Sequence, residues 1–289
     1  MHQHVKGTAP GSLHYDIMVD AHHRPEKGET VIGTGCSYKF GGKGGNQAVS
    51  AAKSGVGVKF LGAVGTDDSG KFLLSVLQNN SVDTKFVEVI DSIASGMSVA
   101  TMDAEGDYGA VVVSNANLRI NPNQFDNDDI WADVGMLLLQ NEVPELVNLN
   151  AAKEAKKRNI TVCINAAPAK ELSPALQACI DVLVVNGVEA RDMSGITVDC
   201  LETASKAALK LNQTFPVVVV TAGEHGVAFS ESNGTCNSLP AEKVELVSTH
   251  GAGDCFMGMF CASMMNGCSL EESVSKANKA AAIHVSRKD

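Results

Sequence analysis

The sequence has no excess of basic residues. Its 23 Lys and Arg stand against 33 Asp and Glu, a formal net charge of −10 at pH 7. A chain this acidic lacks the broad positive footprint that neutralises a phosphate backbone, which argues against nucleic acid as a partner. The local basic run Lys156-Lys157-Arg158 is expected to be a solvated helix face. Long apolar runs are also missing. The opening MHQHVKGTAPGS contains no stretch of signal-peptide length. Residues 255–265 are about half of the ~20 residues that a membrane helix needs, so no membrane partner is expected. The eight cysteines form no C-x-x-C pair and no Cys/His zinc spacing. Three of them fall between Cys255 and Cys268, where small thiols suit a packed helix, and the set reads as that of a reduced, cytoplasmic protein. No G-x-G-x-x-G follows an early strand with an acidic residue at ribose-reading distance, which leaves a dinucleotide-dependent oxidoreductase unsupported.

What is present is an alternation. Apolar runs such as Met136-Leu137-Leu138-Leu139, Thr161-Val162-Cys163-Ile164, Asp181-Val182-Leu183-Val184-Val185 and Val217-Val218-Val219-Val220 are separated by helical patterns over 142–159 and 201–211. Short all-apolar strands between helices imply a mostly parallel sheet covered on both faces, an α/β/α sandwich of three layers. Two segments, 13–40 and 95–115, read instead as alternating strands with a turn at Glu105-Gly106-Asp107. They predict a small antiparallel sheet inserted at one edge, a lid on a single domain spanning 1–289. The first residues, Val5-Lys6-Gly7-Thr8-Ala9-Pro10, make a poor strand because they contain Gly and Pro.

Three glycine-rich sites compete for chemistry. Gly65-Thr66-Asp67-Asp68-Ser69-Gly70-Lys71-Phe72 matches G-x-x-x-x-G-K but carries Phe where a P-loop needs Ser or Thr for Mg²⁺, and its two aspartates would repel phosphate. It reads as a turn before a helix. Gly41-Gly42-Lys43-Gly44-Gly45-Asn46 runs into an Ala-rich helix, and its glycines let backbone approach a ligand while Lys43 and Asn46 donate to hydroxyls. A tight turn alone would not need both donors. In Gly251-Ala252-Gly253-Asp254, small residues at a helix start leave amide N–H groups open as an anion hole for a transferred phosphoryl group. Asp254 beside that hole has the chemistry of a base for an attacking hydroxyl. Its competing reading is a first-turn helix-capping aspartate.

The two motifs GGKGGNQA and THGAGDCFMG, separated by most of the chain, together resemble the signatures of the ribokinase-like (PfkB-type) carbohydrate kinase family over about residues 11–289. The resemblance implies an ATP-dependent phosphotransferase acting on the primary hydroxyl of D-ribose, with Asp254 as base and the helix start Gly251–Asp254 as the anion hole, formed by the amides of Ala252, Gly253 and Asp254. It implies sugar contacts from His14, Asp16, Gly42, Lys43, Gly44, Gly45, Asn46 and Glu142. Nucleotide contacts are implied for Asn186, Thr221, Ala222, Gly223, Glu224, His225, Gly226 and Asn278, with Glu189 holding Mg²⁺ through water. A potassium site is implied at Ser248 and His250, with backbone near His284 and Arg287. Ser248 stands where the family usually has Asp, which removes a carboxylate, and the family normally continues past Asp289 with more of that site and a final helix. His14 stands where such kinases often carry Asn, so the sugar preference is open. A related kinase for a nucleoside, pseudouridine or fructose, or an inactive sugar-binding pseudo-kinase, are the alternatives, and a homodimer formed through the lid is expected.

Overall fold

In the computed structural model, which describes residues 6–104 and 108–287, burial rather than β-propensity decides the first strand. Residues Lys6–Pro10 form β1. The lid strands β2 (His14–Asp20) and β3 (Gly35–Gly41) follow, then helix α1 (Lys43–Lys53). Next come β4 (Gly57–Gly65), α2 (Asp68–Asn79), β5 (Val82–Ile90), and two more lid strands, β6 (Met97–Met102) and β7 (Tyr108–Val113). The middle of the chain gives α3 (Asp128–Trp131), β8 (Val134–Gln140), α4 (Glu145–Lys157), β9 (Thr161–Asn165) and α5 (Pro174–Gln177). It continues with β10 (Val182–Asn186), α6 (Gly187–Ser194), α7 (Leu201–Leu211) and β11 (Val217–Thr221). Strands β12 (Val227–Glu231) and β13 (Cys236–Leu239) precede helices α8 (Ala252–Met265) and α9 (Leu270–Val285).

The central sheet runs β13-β12-β11-β10-β9-β8-β1-β4-β5 and is parallel except for β12, which pairs antiparallel with both β11 and β13. Along β10, Leu183 and Val185 enter one core with α4 and α7, while Val182 and Val184 enter the other with α1, α8 and α9. Two covered faces explain why these strands are apolar without alternation. This is the expected three-layer α/β/α sandwich.

Three expectations need correction. The poor-looking strand β1 lies in the middle of the sheet, parallel to both β8 and β4. Its proline is tolerated because Pro10 lies beyond the last β1–β8 register pair, Thr8 with Leu137, and the ladder to β4 resumes at once with Gly11 N donating to Leu61 O at 3.0 Å. The lid sheet, ordered β3-β2-β6-β7, is mixed rather than antiparallel, since β2 and β6 run parallel. The helix expected from residue 142 starts only at Glu145, because Pro144 cannot continue the turn backwards, and Glu142 is left outside it. The expected turn at 105–107 lies outside the described residues. Lys156, Lys157 and Arg158 do form a helix-end face, paired with Asp181 and Glu154 and, for Arg158, with Asp128 and the Trp131 ring. Among the described residues no helix is long and apolar enough to cross a membrane, and the eight cysteines are unpaired.

Candidate active site

The two glycine motifs meet where α1 packs on α8. Gly258 lets them approach: a Cβ there would lie 2.3 Å from the Ser50 side chain and 2.5 Å from Ala51 N. One turn earlier in α8, this contact sets Asp254 against the start of α1. The Asp254 carboxylate accepts from Asn46 Nδ2 at 3.1 Å and from Gln47 Nε2 at 2.9 Å. Gln47, fully buried, also donates to Asn165 Oδ1 at 3.1 Å at the end of β9. Burial pushes the Asp254 carboxyl above the usual aspartate range. The Lys43 charge and the two side-chain amides oppose that rise, and Glu142 adds to it. The result is a nearly buried carboxylate with donors on both oxygens.

On the neighbouring strand ends, Glu142 Oε2 accepts from Ser12 Oγ at 2.5 Å and from Lys43 N at 2.8 Å. Gly42, at φ +90°, has no room for a Cβ, which would lie 2.6 Å from Ser12 O. Gly44 N points at Ser12 Oγ at 3.4 Å, and Gly45 N donates to Ser12 O at 3.0 Å. His14 Nδ1 lies 3.9 Å from the same Glu142 oxygen, while its Nε2 is buried without a partner among the described residues. Asp16 is buried, accepts from Ser98 Oγ at 2.6 Å, and has its carboxyl raised mainly by burial. Polar groups able to read hydroxyls therefore converge from β1, β2, α1 and β8.

At the head of α8, Gly251 adopts φ +73°. Ala252 N donates weakly to Thr249 O at 3.3 Å, so it is partly engaged within its own turn. The Gly253 and Asp254 amides have no backbone acceptor among the described residues. Two of the three expected anion-hole donors are thus open. His284 Nε2 donates to His250 O at 2.8 Å, and Ser248 Oγ accepts from His250 N at 3.2 Å.

The expected nucleotide residues lie on the next strand ends. Asn186 caps α6, its Oδ1 accepting from Val188 N at 2.8 Å and Glu189 N at 3.1 Å, while Glu189 Oε2 accepts from Asn186 N at 2.8 Å. Burial raises the Glu189 carboxyl. Thr221 stands beside Asn186 in register on β11. Ala222, Gly223, Glu224, His225 and Gly226 make the tight β11–β12 turn, closed by Ala222 N donating to Gly226 O at 2.8 Å. The Asn278 amide donates to Pro240 O at 2.9 Å, and Pro240 lies against Gly226 of that turn, so α9 is tied to the segment beside it. Among the described residues no group of three or more His, Cys, Asp or Glu could hold a metal ion. A cavity of about 650 Å³ borders Asp254 between α1, α8 and α9. Asn46, His250 and Gly251 of the site line it too, whereas Asp16, Glu142, Asn186 and Thr221 do not.

The family model for pfkB carbohydrate kinases matches residues 11–289. The chain belongs to the pfkB family of carbohydrate kinases. It is 34% identical over 276 residues to a ribokinase of Bacillus subtilis, covering 95% of this chain and 91% of the relative. It is 30% identical over 283 residues to a ribokinase of Haemophilus influenzae, covering 97% and 92%. The structure of Arabidopsis thaliana ribokinase complexed with ribose and ATP superposes with a TM-score of 0.92 at 28% identity, covering 99% of this chain and 94% of that one.

Within this pfkB-family fold, the structure gathers Asp254, Asn46, Lys43, Glu142, His14 and Asp16 into one polar cluster. Two members were not singled out from the sequence. Ser12 links Glu142 to the glycine loop, and Gln47 holds Asp254. Gln47 sits next to Asn46 in GGKGGNQA, and its position at the start of an otherwise Ala-rich helix is the signal that would have found it. The P-loop-like segment is a helix start, with Asp67 capping α2 through Gly70 N at 2.8 Å.

Proposed function

We propose that this pfkB-family kinase transfers the γ-phosphoryl group of ATP to the primary hydroxyl of D-ribose, giving ribose 5-phosphate and ADP. The observation that carries the reading is the Asp254 carboxylate, clamped by Asn46 and Gln47 beside two open amides at the head of α8. An open α/β sheet binds ligands beyond the carboxyl ends of its strands, where Glu142, Asn186, Thr221 and Asp254 fall. Asp16, Lys43, Asn46 and Glu142 hold the sugar so that its primary hydroxyl faces Asp254. That carboxylate takes the proton as the hydroxyl oxygen bonds to the γ-phosphorus and the bond to the β-phosphate oxygen breaks. The Gly253 and Asp254 amides steady charge on the moving phosphoryl group. Lid closure keeps water from the phosphorus.

Mg²⁺ bound to the nucleotide supplies charge neutralisation across the phosphates. Asn186 and Glu189 fit that role by donor chemistry, since Glu189 keeps one carboxylate oxygen beyond its bond to Asn186 N. The residues present fit potassium poorly. Ser248 brings no carboxylate, its hydroxyl is used by His250 N, and His250 O is already engaged by His284. The enzyme acts in the cytoplasm as one lidded domain. It dimerises through the lid, whose β7 presents Val111, Val112 and Val113 to solvent.

The reading is tested by ADP release with MgATP and a panel of D-ribose, 2-deoxyribose, fructose and a nucleoside. D-Ribose is expected to give the highest kcat/KM. A higher value for any other acceptor moves the assignment to that compound, and pentose binding without turnover would make the chain a pseudo-kinase.

A further inference from the structure

Four segments carry the chain between the central sheet and the lid: 11–14 before β2, 41–42 after β3, 94–96 before β6, and 114–117 after β7. They converge on Leu13, which is fully buried. Asn117, also fully buried, holds the Leu13 peptide from both sides. Its Oδ1 accepts from Leu13 N at 2.9 Å and its Nδ2 donates to Leu13 O at 2.9 Å. This side chain does for one residue what a neighbouring strand would do. Gly96 closes the same knot, because a Cβ there would lie 2.2 Å from Asn117 Nδ2 and 2.4 Å from Leu13 O. Gly42 closes it from below, where a Cβ would lie 2.8 Å from Leu13 Cα. A second set of bonds fixes the returning strands. Asn115 Nδ2 donates to Ser95 O at 3.0 Å, and Asp67 accepts from Ser95 N and Ser95 Oγ at 2.8 and 2.6 Å.

The residues on either side of Leu13 are those of the acceptor site. Ser12 binds Glu142, His14 lies beside the same carboxylate, and Asp16 follows one alternation later on β2. An error in the Leu13 peptide moves all three. It moves neither Asn186 nor Thr221, which stand on other strands.

We infer that Asn117 is a positioning residue for the acceptor site, pinning the Leu13 peptide at the pivot of the lid so that Ser12, His14 and Asp16 keep their register against Glu142. The inference rests on the sugar-kinase reading for its kinetic consequence, and on geometry alone for the pin itself. A buried bidentate amide has strict geometry, and small displacements of positioning groups are costly to binding.

The test compares wild type with Asn117→Ala, Asn117→Asp and Gly96→Ala, and with Leu176→Ala as a core variant on the far face of the sheet. Asn117→Ala is expected to raise KM for D-ribose at least about tenfold, while kcat and KM for ATP stay within about threefold. Asn117→Asp keeps the acceptor for Leu13 N but loses the donor to Leu13 O, and Gly96→Ala pushes the amide aside. Both should show the same selective rise in KM. Leu176→Ala should lower Tm without that split. Amide exchange reads the pin without any substrate. In wild type the Leu13 amide should exchange about as slowly as those of the central strands, and in the variants it should exchange at least about a hundredfold faster, beyond any change in global stability.

A Leu13 amide that is fast in wild type, or equally slow in the variants, overturns the inference. So does a variant with faster exchange but unchanged KM for the sugar, or one whose two KM values rise together as a general loss of stability would cause. A wild type that binds no pentose, with the Leu13 amide nonetheless released in the variants, would overturn the sugar reading and leave the pin standing. If Asn117→Ala is insoluble, the Asp and Gly96→Ala variants and the wild-type exchange rate decide between the same outcomes.

Discussion

Two runs of valine in this chain are nearly identical on paper and opposite in the structure. Val218, Val219 and Val220 of β11 are wholly buried, whereas Val111, Val112 and Val113 of β7 are 67%, 53% and 43% exposed. The first run lies inside a nine-stranded sheet with helices on both faces; the second edges a four-stranded sheet. An apolar run therefore reports that a strand forms, and its neighbours decide whether it is covered. The contrast extends to function. The floor, where α1 and α8 meet under the strand ends, is fixed by buried polar bonds around Asp254. The lid is tied on by a few side chains at its base and keeps an apolar face free.

This difference can be broken from either side. The floor should be the more fragile. Gln47→Ala removes a buried donor from a buried carboxylate, a change of about 1.5–3 kcal/mol for a bond to a charged group, so kcat/KM should fall roughly 10- to 150-fold in steady-state assays. Gly258→Ala forces a methyl group into the α1–α8 contact. It should cost about 1–3 kcal/mol by denaturant unfolding and lower kcat as Asp254 shifts from Asn46 and Gln47.

Proton linkage gives a third measurement. The Asp254 carboxyl is raised above the ordinary aspartate value of 3.8 by burial. The base must be ionised to act, so kcat/KM should decline on the acid side at a pH above that value. Removing the Lys43 charge by Lys43→Met should move this limb to higher pH. For stability the sign is the reverse. A carboxyl whose folded pKa is raised contributes most when protonated, below its unfolded value, and that contribution is lost as pH rises through the folded value.

The lid should respond least in stability. Val111→Ser, on the face that Val111 shares with the exposed Val99 and Tyr38, should change folding stability by no more than about 0.5 kcal/mol, yet shift the mass seen by light scattering from the proposed dimer to a monomer. Exchange of potassium for sodium should leave turnover within about twofold, given the missing carboxylate at Ser248.

Much of this division could be read in advance. The apolar runs of β8 to β11 announced a doubly covered sheet, and helix α7 falls on the residues its pattern indicates. The glycine-rich segments 41–46 and 251–254 carried their chemistry openly, because backbone access and an isolated carboxylate are local properties. Less visible was everything that depends on distant partners. Lys6–Pro10 has poor strand chemistry and gains its place only from β4 and β8. The parallel pairing of β2 with β6 joins strands far apart in the chain. Gln47, Ser12 and Asn117 are ordinary polar residues until folding sets each against a group elsewhere, Asp254 lying 207 residues beyond Gln47.

The chemistry of the site turns on Asp254, held by the start of α1, acting as the base for the sugar hydroxyl. That role is measured by single-turnover phosphoryl transfer from MgATP to D-ribose by Asp254→Asn, with D-ribose affinity followed in parallel by calorimetry. The expected result is a rate lower by about 10²- to 10⁴-fold, the range of general-base contributions, with the dissociation constant for ribose within about threefold of wild type. Transfer within a few-fold of the wild-type rate would contradict it.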